Sequence, residues 1–341
     1  MRVCEFDYHL PPELIAQEPA RPRDSSRLLV LHRGSGEIEH RAFRDLSGYL
    51  RADDVVVINE TRVMRARLRA VRQPGGGAAE VLLLEDRGGG VWEALVSPGR
   101  RLPPGRQLAF PVHGLRGEIL ERTPSGGRLV RFSGPPAVVS ALATLGDVPL
   151  PPYITRPLDA ESDYQTIYAR HIGSSAAPTA GLHFTPEMLA DVRSRVHAVT
   201  SLCLHIGVAT FRPMHVEAVE EHEMHTEKYG IPEATADSVN RARAEERRVL
   251  AVGTTTVRAL EAAADERGRV RAGEAETDLF LRPGYRFRVV GGLLTNFHLP
   301  RSTLLVLVSA FAGKELIFRA YEEAVAQRYR FLSFGDAMLI L

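Results

Sequence analysis

The sequence predicts an α/β protein whose chain is interrupted by an antiparallel all-β segment, and three observations lead to that expectation. Apolar strand-like runs alternate with helical stretches on both sides of the interruption. Between Arg62 and Pro149 six short alternating runs follow one another with no clear helix. The 341 residues also exceed the usual size of one domain, which fits two domains or one large domain carrying an insertion.

In chain order, residues 6–10 are extended, stop at Pro11 and Pro12, and lead into a short helix. The turn Arg21-Pro22-Arg23-Asp24-Ser25-Ser26-Arg27 gathers three arginines around one aspartate before a strand at 28–31. An ion-pair cluster is the simpler account of it, and phosphate contact is the alternative. Gly34-Ser35-Gly36 closes a hairpin, 43–50 reads as helical, and 55–58 is a buried strand running into Asn59-Glu60-Thr61-Arg62.

The six runs of the interruption are 66–71, 80–84, 91–96, 107–110, 117–120 and 129–132. Gly75-Gly76-Gly77 and Gly88-Gly89-Gly90 fall at hairpin tips and are too irregular for a nucleotide fingerprint. A small barrel or a sandwich satisfies the pattern. Pro149-Leu150-Pro151-Pro152-Tyr153 is the stiff return.

The stretch 172–211 is the most informative. Residues 173–186 are small and nearly uncharged, so this loop can bring hydroxyls and amides close to a ligand. Thr185-Pro186-Glu187 reads as N-cap, N1 proline and acidic first turn of a helix over 186–196. His183 precedes that helix, and a strand over 199–206 carries His205 to its end beside Gly207. Either histidine alone fits a packed core, but the pair at opposite ends of one helix-strand unit favours a site.

Residues 215–229 are acidic, with His222 and His225 one helical turn apart; a solvated helix face explains them better than a metal site, and no metal is expected. A helix over 234–248, a strand over 249–252 and the turn Gly253-Thr254-Thr255-Thr256 opening a helix over 257–265 form a second ligand cradle of hydroxyls and helix-end amides. After Thr277-Asp278 a strand is expected, turned at Pro283-Gly284-Tyr285 and returning over 287–290. Residues 295–303, with Asn296 and His298, form a polar entry to an apolar helix from Leu304.

Composition sets the compartment and hints at a partner. Hydrophobic residues make up 44% and charged ones 25%, and the apolar run 304–311 is far too short to span a membrane. The amino terminus lacks a signal-peptide core, so a cytoplasmic protein is expected, with Cys4 and Cys203 reduced. The net charge is only +1, yet residues 62–131 hold 13 arginines and six acids, 13 − 6 = +7, which leaves 30 − 36 = −6 elsewhere. Such a split points to a polyanion. The competing account is the solvated surface of an arginine-rich chain, in which Lys228 and Lys314 are the only lysines.

The motifs FDYHLPPELIAQEP, RDSSRLLVL, NETRVMRARL, PLPPYI, YQTIYA, AAPTAGLHFT, LHIGVATFRP, EMHTEKY, AVGTTTVRALE, PGYRF, GLLTNFHLPRSTLLVLVSAFAG, AYEEAV and YRFLSFGDAMLIL together resemble one family, the S-adenosylmethionine:tRNA ribosyltransferase-isomerases of the queuosine pathway. They span nearly the whole chain in order. Ser175, Ala209 and Glu60 depart from the valine, glycine and aspartate usual in the family.

The resemblance implies a mixed α/β main domain (1–61 and 150–341) with an inserted small antiparallel β-barrel (62–149). It also implies transfer and isomerisation of the ribosyl part of S-adenosylmethionine onto an aminomethyl-deazaguanine of tRNA, giving epoxyqueuosine, adenine and methionine. The sulfonium acidifies the ribose 5′ carbon and later leaves as a thioether, so no cofactor or metal is required beyond S-adenosylmethionine as cosubstrate.

Within the matched motifs the expected catalytic residues are His183, His298 and His205. His183 is preferred as the base, because its loop can come closest to the cosubstrate and a helix N-terminus keeps its ring neutral. Expected substrate contacts are Thr179, Gly181, Thr185, Arg212, His225, Gly253, Thr254, Thr255, Thr256, Arg258 and Asn296. Arg62, Arg65, Arg67 and Arg69 are expected to grip tRNA, the last three sharing one strand face. A non-catalytic RNA-binding protein and a tRNA methyltransferase are the competing readings.

Overall fold

The computed structural model describes residues 1–111, 114–124, 126–207 and 213–341. The chain divides into two compact units: Met1–Thr61, Pro152–His171 and Ala177–Leu341 form one, Arg62–Pro151 and Ile172–Ala176 the other.

The first unit is built on a nine-stranded sheet, in the order Gly273–Thr277, Glu227–Ile231, Ala198–Leu204, Val55–Asn59, Val249–Val252, Gly292–Asn296, Ala337–Ile340, Arg27–Leu31, Ile38–Ala42. Four neighbours, from Ala198–Leu204 to Gly292–Asn296, run parallel. Three of these four, Val55–Asn59, Val249–Val252 and Gly292–Asn296, are buried at every residue. Helices cover the sheet, which is why its central strands lack polar alternation. Phe43, Leu46 and Phe184 pack with Met188, Leu189 and Val192 of the helix Pro186–Arg195 against Leu28, Val30, Val56, Ile58, Leu250 and Val252.

From Val55–Asn59 the chain proceeds first to the neighbour on one side, Ala198–Leu204, and later to the neighbour on the other, Val249–Val252. In parallel α/β sheets such a reversal opens a crevice beyond the carboxyl ends of the strands, and ligands bind there.

The other unit holds a closed antiparallel barrel of six strands, ordered Arg128–Ser133, Val91–Ser97, Ala78–Asp86, Arg67–Gln73, Gln107–Ala109, Arg116–Arg122. All six expected runs are present, and closure decides for a barrel over a sandwich. Its interior is filled by side chains such as Leu68, Val81, Leu83, Trp92, Ile119 and Val130.

Several local expectations need correction. The helix placed at 257–265 is Thr254–Ala263, because Gly253 at φ 93° turns the chain sharply enough for the helix to begin at once. Thr256 Oγ1 then donates to the Val252 carbonyl at 2.7 Å. The helix placed at 234–248 stops at Ala244, and 43–50 is a 3₁₀ helix, Phe43–Tyr49. No strand forms over 287–290. There Glu261, a buried carboxylate, accepts from the amides of Arg288, Val289 and Val290, which takes those donors out of any ladder. The strand lies instead at Gly292–Asn296. Residues 215–229 do not form a helix carrying His222 and His225 on one face; a short 3₁₀ turn, Val219–Glu221, precedes an extended approach to Glu227–Ile231.

Candidate active site

The carboxyl ends of the four parallel strands supply the site. Asn59, last in its strand, sits at the reversal and ties the neighbouring strand Ala198–Leu204 to the helix Thr254–Ala263. Its Nδ2 donates to the Leu204 carbonyl at 3.0 Å and to Thr255 Oγ1 at 3.2 Å, and its Oδ1 accepts from the amides of Leu204 and Thr61. Beyond these ends lies a cleft whose walls include Thr179, Gly253, Thr255, Asn296 and His298. No Asp, Glu, Lys or Arg lines it among the described residues.

His298 is buried, and burial pushes its pKa down to about 3, so the ring is neutral. Nε2 meets Thr295 Oγ1 at 2.9 Å, and among the described residues Nδ1 has no hydrogen-bond partner. The backbone is clamped as well: Tyr8 Oη donates to the His298 carbonyl at 2.5 Å, and the His298 amide donates to Tyr321 Oη at 2.9 Å. The Thr295 hydroxyl can accept from Nε2–H or donate to Nε2, so Nδ1 faces a ligand as acceptor in one tautomer and as donor in the other.

His183 does not line the cleft. Its ring stacks on Phe43, centroids 4.9 Å apart, with Nδ1 at 2.7 Å from Ser26 Oγ and Nε2 at 3.2 Å from Asn296 Nδ2. Asn296 Oδ1 accepts from Thr179 Oγ1 at 2.8 Å, which fixes the amide with its nitrogen toward the histidine. The His183 pKa also falls to about 3, mainly through burial, followed by the charges of Arg330 and Arg23. Asn296 stands on the cleft wall, and His183 lies behind it.

A second, smaller cavity shares Thr254, Thr255 and Leu304 with the first. It contains His225, Glu227 and Arg258. Glu227 Oε2 accepts from Arg258 Nη1 at 2.7 Å, while Oε1 meets His225 Nε2 at 3.0 Å and the Gly207 amide at 3.1 Å. These partners and the Arg258 charge hold the Glu227 pKa below its ordinary value against the raising effect of burial.

A profile described as "Queuosine biosynthesis protein" matches residues 3–340. The chain belongs to that family. It is 55% identical over 341 residues to the S-adenosylmethionine:tRNA ribosyltransferase-isomerase of Symbiobacterium thermophilum, covering 100% of both chains. It is 54% identical to the protein of that name in Thermus thermophilus, covering 98% of each. Among solved structures it is similar to the S-adenosylmethionine tRNA ribosyltransferase of Thermotoga maritima, at 39% identity and a TM-score of 0.57, covering 99% of this chain and 100% of that one.

The remaining family-derived candidates divide clearly. Thr179, Gly253, Thr254, Thr255 and Asn296 line the first cleft. Thr256 does not, since its hydroxyl is buried on the Val252 carbonyl. Thr185 caps the helix Pro186–Arg195, accepting from the Met188 amide at 3.1 Å. Gly181 answers a packing need, because a Cβ there would fall 2.0 Å from Tyr168 Oη. His205 lies outside the lining, with Nδ1 at 2.9 Å from Thr61 Oγ1 and its pKa lowered by burial and by His171 and Lys228. Beside it burial pushes the Cys203 thiol up to about 11, so it stays protonated. Arg212 and Ala209 fall outside the described residues.

Arg62, Arg65 and Arg69 are exposed and Arg67 is half-buried, but Arg62 and Arg65 precede the barrel strand Arg67–Gln73, so Arg65 does not share a strand face with the other two as expected. Arg67 and Arg69 alternate with the inward-facing Leu68 and Ala70, so they share the outer face. Arg69 pairs loosely with Asp147 at 3.3 Å; Arg67 lies 3.6 Å from Glu80 and donates to the Leu150 carbonyl at 3.5 Å. The Arg21 to Arg27 turn is an ion-pair and packing cluster. Arg21 pairs with Asp163 at 2.8 Å, Arg23 donates to the Gln165 carbonyl, and Arg27 stacks over Tyr329.

Sequence reasoning did not single out Asn59, Tyr8, Tyr321 or Ser26. Each stands in a motif quoted above, but its role depends on partners far away in the chain, so composition and spacing alone carried no signal for it.

Proposed function

We propose that the first cleft holds S-adenosylmethionine for ribosyl transfer to tRNA. The activity is that of the family: the ribosyl moiety is transferred and isomerised onto the aminomethyl-deazaguanine base, giving epoxyqueuosine-tRNA and releasing adenine and methionine. One observation supports this location above all. An uncharged cleft opens at the strand reversal and carries a neutral histidine whose Nδ1 has no partner among the described residues.

In this reading His298 Nδ1 takes the proton from the ribose 5′ carbon, which the adjacent sulfonium acidifies. Thr295 holds the opposite ring nitrogen, and Tyr8 and Tyr321 hold the main chain. Asn296 and Thr179 supply polar contacts for the nucleoside, with His183 as a positioning residue behind Asn296. No resident cofactor or metal takes part, and the tRNA substrate places the reaction in the cytoplasm. Incubation with S-adenosylmethionine and suitably modified tRNA, after dialysis against a chelator, tests this. Free adenine supports it, S-adenosylhomocysteine indicates methyl transfer, and intact cosubstrate indicates a binding protein.

The threonines give a finer test. Thr255→Val should weaken S-adenosylmethionine by about 1.5 to 3 kcal/mol if the hydroxyl meets a charged group of the ligand. Thr256→Val should leave affinity unchanged, because that hydroxyl is already bonded to the Val252 carbonyl. Equal losses at both positions in equilibrium binding would refute the assignment.

The barrel arginines supply electrostatic affinity for tRNA. Arg67 and Arg69 each have an acidic neighbour, Glu80 and Asp147, and replacing Arg65, Arg67 and Arg69 together should reduce the salt dependence of binding by up to about three phosphate equivalents. A salt slope equal to wild type would remove this face from the tRNA footprint.

A further inference from the structure

The opening turn of the helix Thr254–Ala263 brings Thr254 and Thr255 to the wall of the first cleft, and a buried ion pair stands one turn further along. Arg258 follows Thr254 and Thr255 at helical spacing, so the three side chains share one helix face. Its partner Glu227 is buried as well. The cavity beside them has room for about one water, so the pair acts on its protein neighbours and not on a ligand.

Those neighbours lie at the strand ends around the cleft. Arg258 Nη1 donates to Glu227 Oε2 at 2.7 Å, and Nη2 donates to the carbonyls of His225 and Thr277 at 2.8 and 3.1 Å. The guanidinium thus ties the helix to the strand Glu227–Ile231 and to the last residue of Gly273–Thr277. Glu227 Oε1 accepts from the Gly207 amide at 3.1 Å, and the preceding residue, Ile206, is part of the cleft wall. One pair therefore joins two stretches of that wall, Ile206 and Thr254–Thr255. Docking of the helix does not depend on it, because Val257, Ala259 and Leu260 are fully buried. A buried ion pair adds little stability over apolar side chains of its volume, and its better-attested use is to select one arrangement. On the sheet side, Asn59 Nδ2 donates to Thr255 Oγ1, which leaves the threonine its own proton to donate.

We infer that Glu227 and Arg258 are positioning residues for the reaction: they set the first turn of the helix so that the Thr255 hydroxyl meets S-adenosylmethionine. This rests on the reading of the first cleft as the cosubstrate site. A displacement of about 1 Å far from the chemistry is enough to slow a reaction on the order of a hundredfold. Neither residue touches the ligand. Their effect passes through Thr255 and disappears when that hydroxyl is gone.

A double-mutant cycle on equilibrium binding separates this from a merely structural role. In the wild-type protein Thr255→Val should weaken S-adenosylmethionine about tenfold or more. In an Arg258→Met, Glu227→Gln background, which removes both charges and keeps an acceptor for the Gly207 amide, the same substitution should weaken it less than about threefold. Urea unfolding checks that each variant is folded. Should the paired variant not fold, Arg258→Lys takes its place. It keeps the charge beside Glu227 but loses the fork that reaches both carbonyls, so the Thr255→Val effect should shrink there too. The same fold-loss from Thr255→Val in every background would overturn the inference, by showing that the pair supports the fold alone. Wild-type binding that Thr255→Val leaves unchanged would overturn it as well and leave the cleft itself standing. If the wild-type protein does not bind S-adenosylmethionine, the reading of the first cleft fails and this inference with it.

Discussion

A His298→Ala protein should bind S-adenosylmethionine within a few-fold of wild type yet turn over about a hundredfold to ten-thousandfold more slowly, the usual worth of a general acid–base group. The loop should survive the substitution, because what holds it is the main chain at residue 298, through Tyr8 and Tyr321, and not the imidazole. Exchange of the 5′ hydrogens with deuterated solvent and adenine release should fall together, since both need the same proton removed.

His183→Ala should behave differently. It empties a space between Phe43 and Asn296 and frees the Asn296 amide to rotate, so stability and the Michaelis constant should change more than the chemical step. If His183→Ala loses the chemical step with binding intact, and His298→Ala stays within about tenfold of wild type, the two roles are exchanged.

What separates these two histidines was not legible in the sequence. Each stands in a loop before a helix, and the small, hydroxyl-rich surroundings of His183 argued for the closer approach to a ligand. Its ring partners are Ser26 and Asn296, 157 and 113 residues away, and only the folded chain shows that both nitrogens are taken. Long-range partnerships of this kind leave no local periodicity.

Other features were legible because their causes are local. The Thr185 cap and the proline after it set the start of the helix Pro186–Arg195. Two-residue alternation marked all six barrel strands, whose one face is buried in the barrel interior. The strand Gly292–Asn296 escaped notice because it opens on a glycine that follows another, Gly291. Gly292 is needed for close packing, since a Cβ there would lie 2.7 Å from Leu250 Cδ1, but a glycine pair reads as a turn. The Gly253 turn was seen but its consequence was misplaced. With φ at 93° it brings the threonines into the helix itself, which turns Thr256 away from the cleft.

The protein should also lose stability steeply as pH falls through the weakly acidic range. Burial lowers the pKa of both His183 and His298 from 6.5 to about 3. Between those values the unfolded chain binds protons that the folded chain refuses, so folding stability rises with pH across the window and is fully present only above about 6.5. Each ring contributes roughly 1.4 kcal/mol per pH unit inside the window. Going from about pH 7 to about pH 5 should therefore remove on the order of 4 kcal/mol, a large share of the stability of a typical domain. His205 and His222, both also lowered by burial, act in the same direction. Glu227, whose pKa is depressed, contributes stability that is lost only below the ordinary carboxylate range, so it does not account for a loss above about pH 5. Urea unfolding at about pH 7, 6 and 5 measures the slope. In a His183→Asn, His298→Gln double variant the slope should shrink by the share of those two rings. A wild-type midpoint that stays put from about pH 7 to about pH 5 would mean that both rings take up protons in the folded state, and neutral imidazole at the cleft wall, on which proton removal by His298 depends, would not hold.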